Sequence, residues 1–219
     1  MQRTSRQRTL KSIGASLLFI AAAAPLFATS TEVLRNEKVI VTEVTVAPGD
    51  QEQVGGVHAS VLVILQGDAM EMLPPRGYNQ AERSPAHRGD TINQRAGAEI
   101  LTNAGKTPLR LVRVEFRTSG SDETWGMTGL PPNYNVLFED EHSRTYEIRI
   151  AAHAVEPQHT HHARVVVCLS GAQLEHVLPD GSKQDNTLKT DEVAWREEQT
   201  HTGHNLGDTD LWVIAIEPK

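Results

Sequence analysis

The chain is predicted to be all-β and to fold as two tandem units of similar design, on three observations. Apolar residues alternate with polar ones or form short branched runs, as in Val39-Ile40-Val41-Thr42-Glu43-Val44-Thr45-Val46 and Leu109-Arg110-Leu111-Val112-Arg113-Val114, which is strand patterning. Turn formers bound these runs at Pro48-Gly49, Gly67-Asp68 and Gly105. The chain also matches itself when slid along its own length, the mark of a duplicated unit. Beyond the N-terminal segment there is no long 3.6-residue periodicity, and short helical turns fit only within 120–134.

The self-match defines the elements of both units. A shift of 104 residues lays Glu43-Val44 on Glu147-Ile148, Gly49 on His153, His58 on His162 and Gln66-Gly67 on Ser170-Gly171. Farther along, the shift becomes 102, placing Gly89-Asp90 on Asp191-Glu192, Glu99 on His201, Asn103 on Asn205 and Gly105 on Gly207. The closing strand Leu109 to Val114 falls on Leu211 to Ile216. Two β-rich units at 32–118 and 135–219 follow, with 119–134 as a turn-rich linker.

Residues 1–28 stand apart. Arg3, Arg6, Arg8 and Lys11 precede an apolar stretch from Ile13 to Ala24, and Pro25, Ala28 and Ser30 suit a small-residue cleavage region. This is the layout of a secretory signal peptide cut near Ala28 or Ser30. The apolar stretch, about 12 to 16 residues, is shorter than the roughly 20 that a spanning helix needs. The expected location is periplasmic or secreted, with no stable membrane insertion after cleavage. No Arg-Arg pair points to twin-arginine export.

Cleavage would remove four positive charges from the 21 Lys and Arg and none of the 28 Asp and Glu, taking the net charge from −7 to −11. So acidic a surface is repelled by phosphate backbones and anionic lipid, which excludes nucleic acid as a partner. Cys168 is the single cysteine, so no disulfide can form within the chain and stability rests on packing.

Chemistry concentrates in Pro157-Gln158-His159-Thr160-His161-His162-Ala163-Arg164 and in His201. His159 and His161 alternate with period two, so on a strand they share a face, roughly 6.6 Å apart at Cα. Two such imidazoles chelate one ion, and a third from another strand completes a facial set with positions open for water or substrate. The aligned residues of the first unit are Gly55, Val57 and Glu99, so one metal site per chain is expected.

These residues resemble the cupin family, whose members are small double-stranded β-helix barrels of jelly-roll type, here in a two-barrel arrangement. His159-Thr160-His161 and Gly171 match the family's first motif, with His153 where its opening Gly should stand. His201-Thr202-Gly203-His204-Asn205, after Asp191-Glu192-Val193-Ala194-Trp195, matches the second. The resemblance covers 32–219 and is degenerate in the first unit. It implies His159, His161 and His201 as metal ligands. The family's glutamate ligand is missing, its place taken by Arg164 or Val165 depending on the direction of counting. A three-His set, which some cupin dioxygenases use, suits Fe²⁺, Zn²⁺, Ni²⁺ or Cu²⁺ better than a hard ion such as Mn²⁺.

Arg164 is expected outward or at the rim, because an unpaired buried guanidinium is expensive; facing inward, it would pin a substrate carboxylate beside the metal. Tyr146, Gln173 and Trp195 lie on strands that should line the barrel and are candidates to shape a substrate pocket, although core packing explains each equally well. His162 should point away from His159 and His161. His204 is expected at the surface, Glu156 in a solvated turn before Pro157, and Cys168 in the core. The implied functions are an exported metal enzyme, dioxygenase-like or an isomerase or lyase, acting on a small oxygenated or carboxylated molecule; a non-catalytic small-molecule or sugar binder; or a structural two-barrel protein with a vestigial site. Barrel–barrel contacts would allow a homodimer.

Overall fold

The computed structural model describes residues 28–73 and 81–219, so the leader-like segment lies outside the described residues except for Ala28. Eighteen strands and no helix are present among them. The first unit contains β1 (Thr29–Arg35), β2 (Val39–Val46), β3 (Gln51–Gln53), β4 (Ser60–Gln66), β5 (Ala69–Leu73), β6 (Glu82–Pro85), β7 (Thr91–Gln94), β8 (Ile100–Asn103) and β9 (Leu109–Phe116). The second contains β10 (Asn135–Glu139), β11 (Ser143–Ile150), β12 (His159–His161), β13 (Arg164–Ser170), β14 (Leu174–Val177), β15 (Lys183–Asp185), β16 (Val193–Arg196), β17 (Gln199–Asn205) and β18 (Leu211–Pro218).

Each unit is a two-sheet jelly-roll barrel, and the two have one topology. The first pairs a sheet of order β1-β2-β9-β4-β7 with one of order β3-β8-β5-β6. The second repeats this as β10-β11-β18-β13-β16 and β12-β17-β14-β15. The duplication reaches individual turns. Gly49 and its counterpart His153 both have positive φ, as do Gly89 and Asp191. For the two non-glycine residues this is a strained left-handed conformation. Asn103 donates to the carbonyls of Val46 and Thr107 and accepts from Gly105 N–H. Asn205 does the same with Ile150, Ala151, Thr209 and Gly207.

Three apolar clusters organise the packing. One fills the first barrel around Leu62, Ile64, Leu101 and Leu111, and one fills the second around Tyr146, Val166, Cys168 and Val213. The third lies between the barrels, where Val61, Val63, Val112 and Val114 meet Val165, Val167, Ile214 and Ile216. The five-stranded sheets thus pack back to back through their outer faces. This explains why β4 and β13 read as unbroken apolar runs: they are buried on both faces.

Polar contacts pin the same interface. Arg88 donates to Leu65 O in its own barrel and to Leu169 O in the other, and its guanidinium meets the Asp191 carboxylate at 2.5 Å. Arg110 reaches the other Asp191 oxygen at 3.0 Å. Arg88→Met keeps the aliphatic stem but leaves carbonyls of both barrels without a donor. It should lower stability by about 2 kcal/mol. The check is denaturant unfolding: a lower midpoint at unchanged slope is expected, and an unchanged midpoint would refute the pinning role.

Candidate metal centre

β12 is three residues long, and its pleat turns His159 and His161 inward while Thr160 faces Thr200 across the strand pair. β17 lies beside it in antiparallel register, with His201 directly opposite His159. All three imidazoles are buried, and one nitrogen from each lies within 4.8 Å of the others. His159 Nδ1 is 2.8 Å from Pro157 O, and His159 Nε2 is 2.9 Å from His161 Nε2. Burial above all holds the three rings below the usual imidazole range, with His161 far below it and His201 near 2. They are neutral at physiological pH, the state in which imidazole binds a metal.

A polar shell surrounds the cluster. Tyr146 Oη is 2.7 Å from His161 Nδ1 and donates to Glu217 Oε1 at 2.9 Å. Tyr134 Oη lies 3.4 Å from His159 Nε2. His176 stacks on His201 with ring centroids 3.7 Å apart. It is held by Gln199 Oε1 at 3.1 Å and Asn186 Nδ2 at 3.1 Å, so both its nitrogens are occupied. His161, His201, Tyr134, Glu156, Arg164 and Arg196 all border one interior cavity with about 30 Å³ free, the room of two or three waters.

Arg164 departs from expectation. It is 4% exposed and faces this cavity, and no carboxylate lies within ion-pair distance of it among the described residues. Its Nη1 reaches only the His162 and Glu197 carbonyls at 3.3 and 3.5 Å, and its Nε has no partner. The cause is register: Arg164 opposes Arg196, and the next pair, Val165 with Trp195, turns to the other face. For the same reason Trp195 packs against the apolar layer between the barrels rather than lining the cavity. Gln173 is exposed and also lies outside the cavity. Tyr146 is buried against His161 but does not line the cavity either.

Glu156 is the second departure, buried at 4% exposure rather than solvated. The chain turns it inward through its own N–H, which donates to Gly203 O. Room comes from Gly203, where a Cβ would sit 2.6 Å from Glu156 Oε2. In the first barrel the counterparts are Leu101, which fills the core, and Glu52, which accepts from Ser30 at the surface. Burial raises the Glu156 carboxyl to about 7, against hydrogen bonds from Tyr134 and Asn133, and its Oε1 has no partner.

The sequence reading missed Arg196, His176, Tyr134 and Glu217. For Arg196 the signal was present, because it is one residue from Trp195 and a strand reverses face at every step. Tyr134 lies in the segment expected to be a linker. That segment instead packs on the second barrel, with Arg144 donating to Gly126 O and Thr128 O and Thr160 N–H donating to Gly129 O. His162 points outward onto Trp125, with ring centroids 4.2 Å apart. Cys168 is buried, its thiol pushed up to about 11 by that burial.

The barrels and the His cluster together define the class: two tandem cupin-type barrels with one candidate divalent-metal site. No protein-family model and no curated protein sequence matches the chain. Solved structures do. A cupin 2 conserved barrel domain protein from Leptotrichia buccalis shares 11% identity at TM-score 0.58, covering 90% of this chain and 91% of its own. AerE from Microcystis aeruginosa shares 14% at TM-score 0.59, over 88% of this chain and 98% of its own. Bacillus subtilis oxalate decarboxylase shares 13% at TM-score 0.59, over 87% of this chain and 72% of its own. At these identities the likeness is one of fold.

Glu156 gives the stability a pH dependence. Its folded value near 7 lies above the ordinary 4.5, so the folded state holds a proton that the unfolded chain releases. That contribution is complete below about pH 4.5 and is lost as pH rises through 7, amounting to about 3 kcal/mol. Relative to wild type, Glu156→Gln should gain about 3 kcal/mol between pH 4.5 and 7, on top of the opposite slope that the depressed His159, His161, His176 and His201 give both proteins. Thermal unfolding of both proteins across that range is the check, and parallel curves would contradict the assignment.

Proposed function

We propose that the second barrel is a metal centre holding one divalent ion on His159, His161 and His201, and that it takes a small carboxylate against Arg164 beside the ion. One comparison carries this reading. In the first barrel the positions equivalent to Arg164, Arg196 and His201 are Ser60, Gln94 and Glu99, and these satisfy one another: Ser60 donates to Gln94, and Gln94 donates to Glu99. In the second barrel Arg164 Nε, Arg196 Nε and His201 Nδ1 are all buried without a partner. Unpaired buried donors cost about 1–3 kcal/mol each, which favours a ligand that supplies the acceptors.

The donor set fits a metal. Three neutral imidazoles with no carboxylate suit Fe²⁺, Zn²⁺, Ni²⁺ or Cu²⁺. The similar oxalate decarboxylase of B. subtilis has Mn(II) centres, but an all-nitrogen set with Arg164 nearby is a poorer home for so hard an ion. A bound ion would supply Lewis-acid polarisation of a ligated oxygen and, if iron, one-electron chemistry. Around it, Arg164 orients the carboxylate, the apolar wall of Ile148, Val166 and Leu174 excludes water, and Glu156 holds or releases a proton near neutral pH. Dioxygenase-like turnover of a small carboxylated substrate is the reaction class that this arrangement favours.

Elemental analysis of the purified protein should find close to one metal per chain, lost in His161→Ala and His201→Ala. Arg164→Met should keep the metal but weaken calorimetric binding of two- to four-carbon carboxylates at least tenfold. A protein that neither contains metal nor takes it up on reconstitution would end this reading. If iron is found, oxygen uptake is the next assay.

The proposal includes export, supported by the leader-like residues 1–28. N-terminal sequencing of the protein recovered from the cell envelope or medium should begin near residue 29 to 31, whereas an intact Met1 would exclude cleavage.

A further inference from the structure

The second barrel contains an ion pair that metal ligation does not explain. Arg144 on β11 and Glu217 on β18 face each other in register and are fully buried. Arg144 Nε donates to Glu217 Oε2 at 2.7 Å, and its Nη1 is taken by the Gly126 and Thr128 carbonyls. Buried pairs of this kind rarely repay their desolvation.

Glu217 Oε1, the oxygen turned away from Arg144, accepts two bonds, from Tyr146 O–H at 2.9 Å and from His162 N–H at 3.0 Å. A carboxylate is acceptor-only, so the single phenolic proton of Tyr146 points at Glu217. The Tyr146 oxygen therefore meets His161 Nδ1, 2.7 Å away, as an acceptor. His161 must carry its proton on Nδ1, leaving the lone pair on Nε2. His159 is fixed in the same sense, because Pro157 O can only accept from its Nδ1. Two Nε2 lone pairs then face each other across 2.9 Å, an arrangement that repels unless a cation lies between them.

We infer that Arg144, Glu217 and Tyr146 are positioning residues that lock His161 in its Nδ1–H tautomer and make Nε2 its metal-binding atom; this rests on the metal reading above. Arg144 holds Glu217 in place, Glu217 orients the Tyr146 hydroxyl, and Tyr146 sets the proton on His161. The His162 N–H bond ties the end of β12 to the same carboxylate. The first barrel supports the assignment: its counterparts are Ile40, Thr42 and Glu115, and Glu115 turns instead to Arg113 at 3.5 Å. The relay is present only where the imidazoles are.

Two measurements on the full-length protein test this. In metal-free protein, imidazole ¹⁵N shifts should report His161 as Nδ1–H, and Tyr146→Phe should convert it to a tautomer mixture while leaving the Arg144–Glu217 pair and the circular dichroism intact. A wild-type His161 protonated on Nε2 overturns the relay. In the second measurement, Zn²⁺ affinity by chelator competition should fall about 10- to 100-fold in Tyr146→Phe at unchanged stoichiometry. Glu217→Gln should match it if it still folds. Equal affinity in wild type and Tyr146→Phe overturns the relay while leaving the three-His site standing. A wild type that binds no Zn²⁺, whatever its tautomer, overturns the metal reading and the inference with it.

Discussion

The back-to-back packing of the two five-stranded sheets decides what the rest of the molecule can do. Val61, Val63, Val165 and Val167 meet in that layer, and once they do, the pleat assigns every other residue of β4 and β13 to a barrel interior. Arg164 is inward because Val165 is taken by the layer between barrels. A slip of one residue would place Arg164 among valines and Val165 beside the imidazoles. Outward exposure of Arg164 was never an available state, since β13 has no solvent-facing side. The cost of burying this guanidinium is borne by a strand whose apolar neighbours leave it no alternative.

The duplicated architecture was legible in the chain for a physical reason. Strand periodicity and turn chemistry act locally, and both copies retain them: Gly49 and His153, Gly89 and Asp191, and Asn103 and Asn205 occupy equivalent conformations or make equivalent bonds. The His159, His161 and His201 convergence was legible too, because a period-two pair opposite a residue of a neighbouring strand depends only on register. The polar shell was not. Tyr134 enters from a segment without repeat partner or strand pattern, and Glu217 lies on the closing strand amid apolar residues. Glu156 was misjudged because Gly203, which admits it, is 47 residues away in sequence. Such long-range steric permissions leave no local mark.

The two barrels form an internal control. At three equivalent positions the barrels differ: Ser60, Gln94 and Glu99 are bonded in a chain in the first, whereas Arg164 Nε, Arg196 Nε and His201 Nδ1 lack partners in the second. With Glu in place of His201 and Gln in place of Arg196, these first-barrel positions bond to each other. Gly55 in place of His159 completes the change. A Cβ there would sit 2.1 Å from Gly97 O, so the strands have closed over the position that a ligand would need. The outer sheet of the first barrel packs against that of the second.

Charge gives the last step. The Arg144–Glu217 pair contributes no net charge to the second barrel and the imidazoles are neutral, so Arg164 leaves one positive charge in its interior, whereas Arg196 is partly exposed and meets Glu192 at 3.7 Å. A divalent cation would add to that field, and the carboxyl that lines the cavity, Glu156, is raised to about 7 by burial. In a low-dielectric interior such an excess is strongly unfavourable. An anion bound at Arg164 would lower that cost, so ion and anion would each favour the binding of the other. Under the proposed reading, the counter-charge that a ligand glutamate would supply comes instead from a carboxylate bound at Arg164, so the two affinities would rise together.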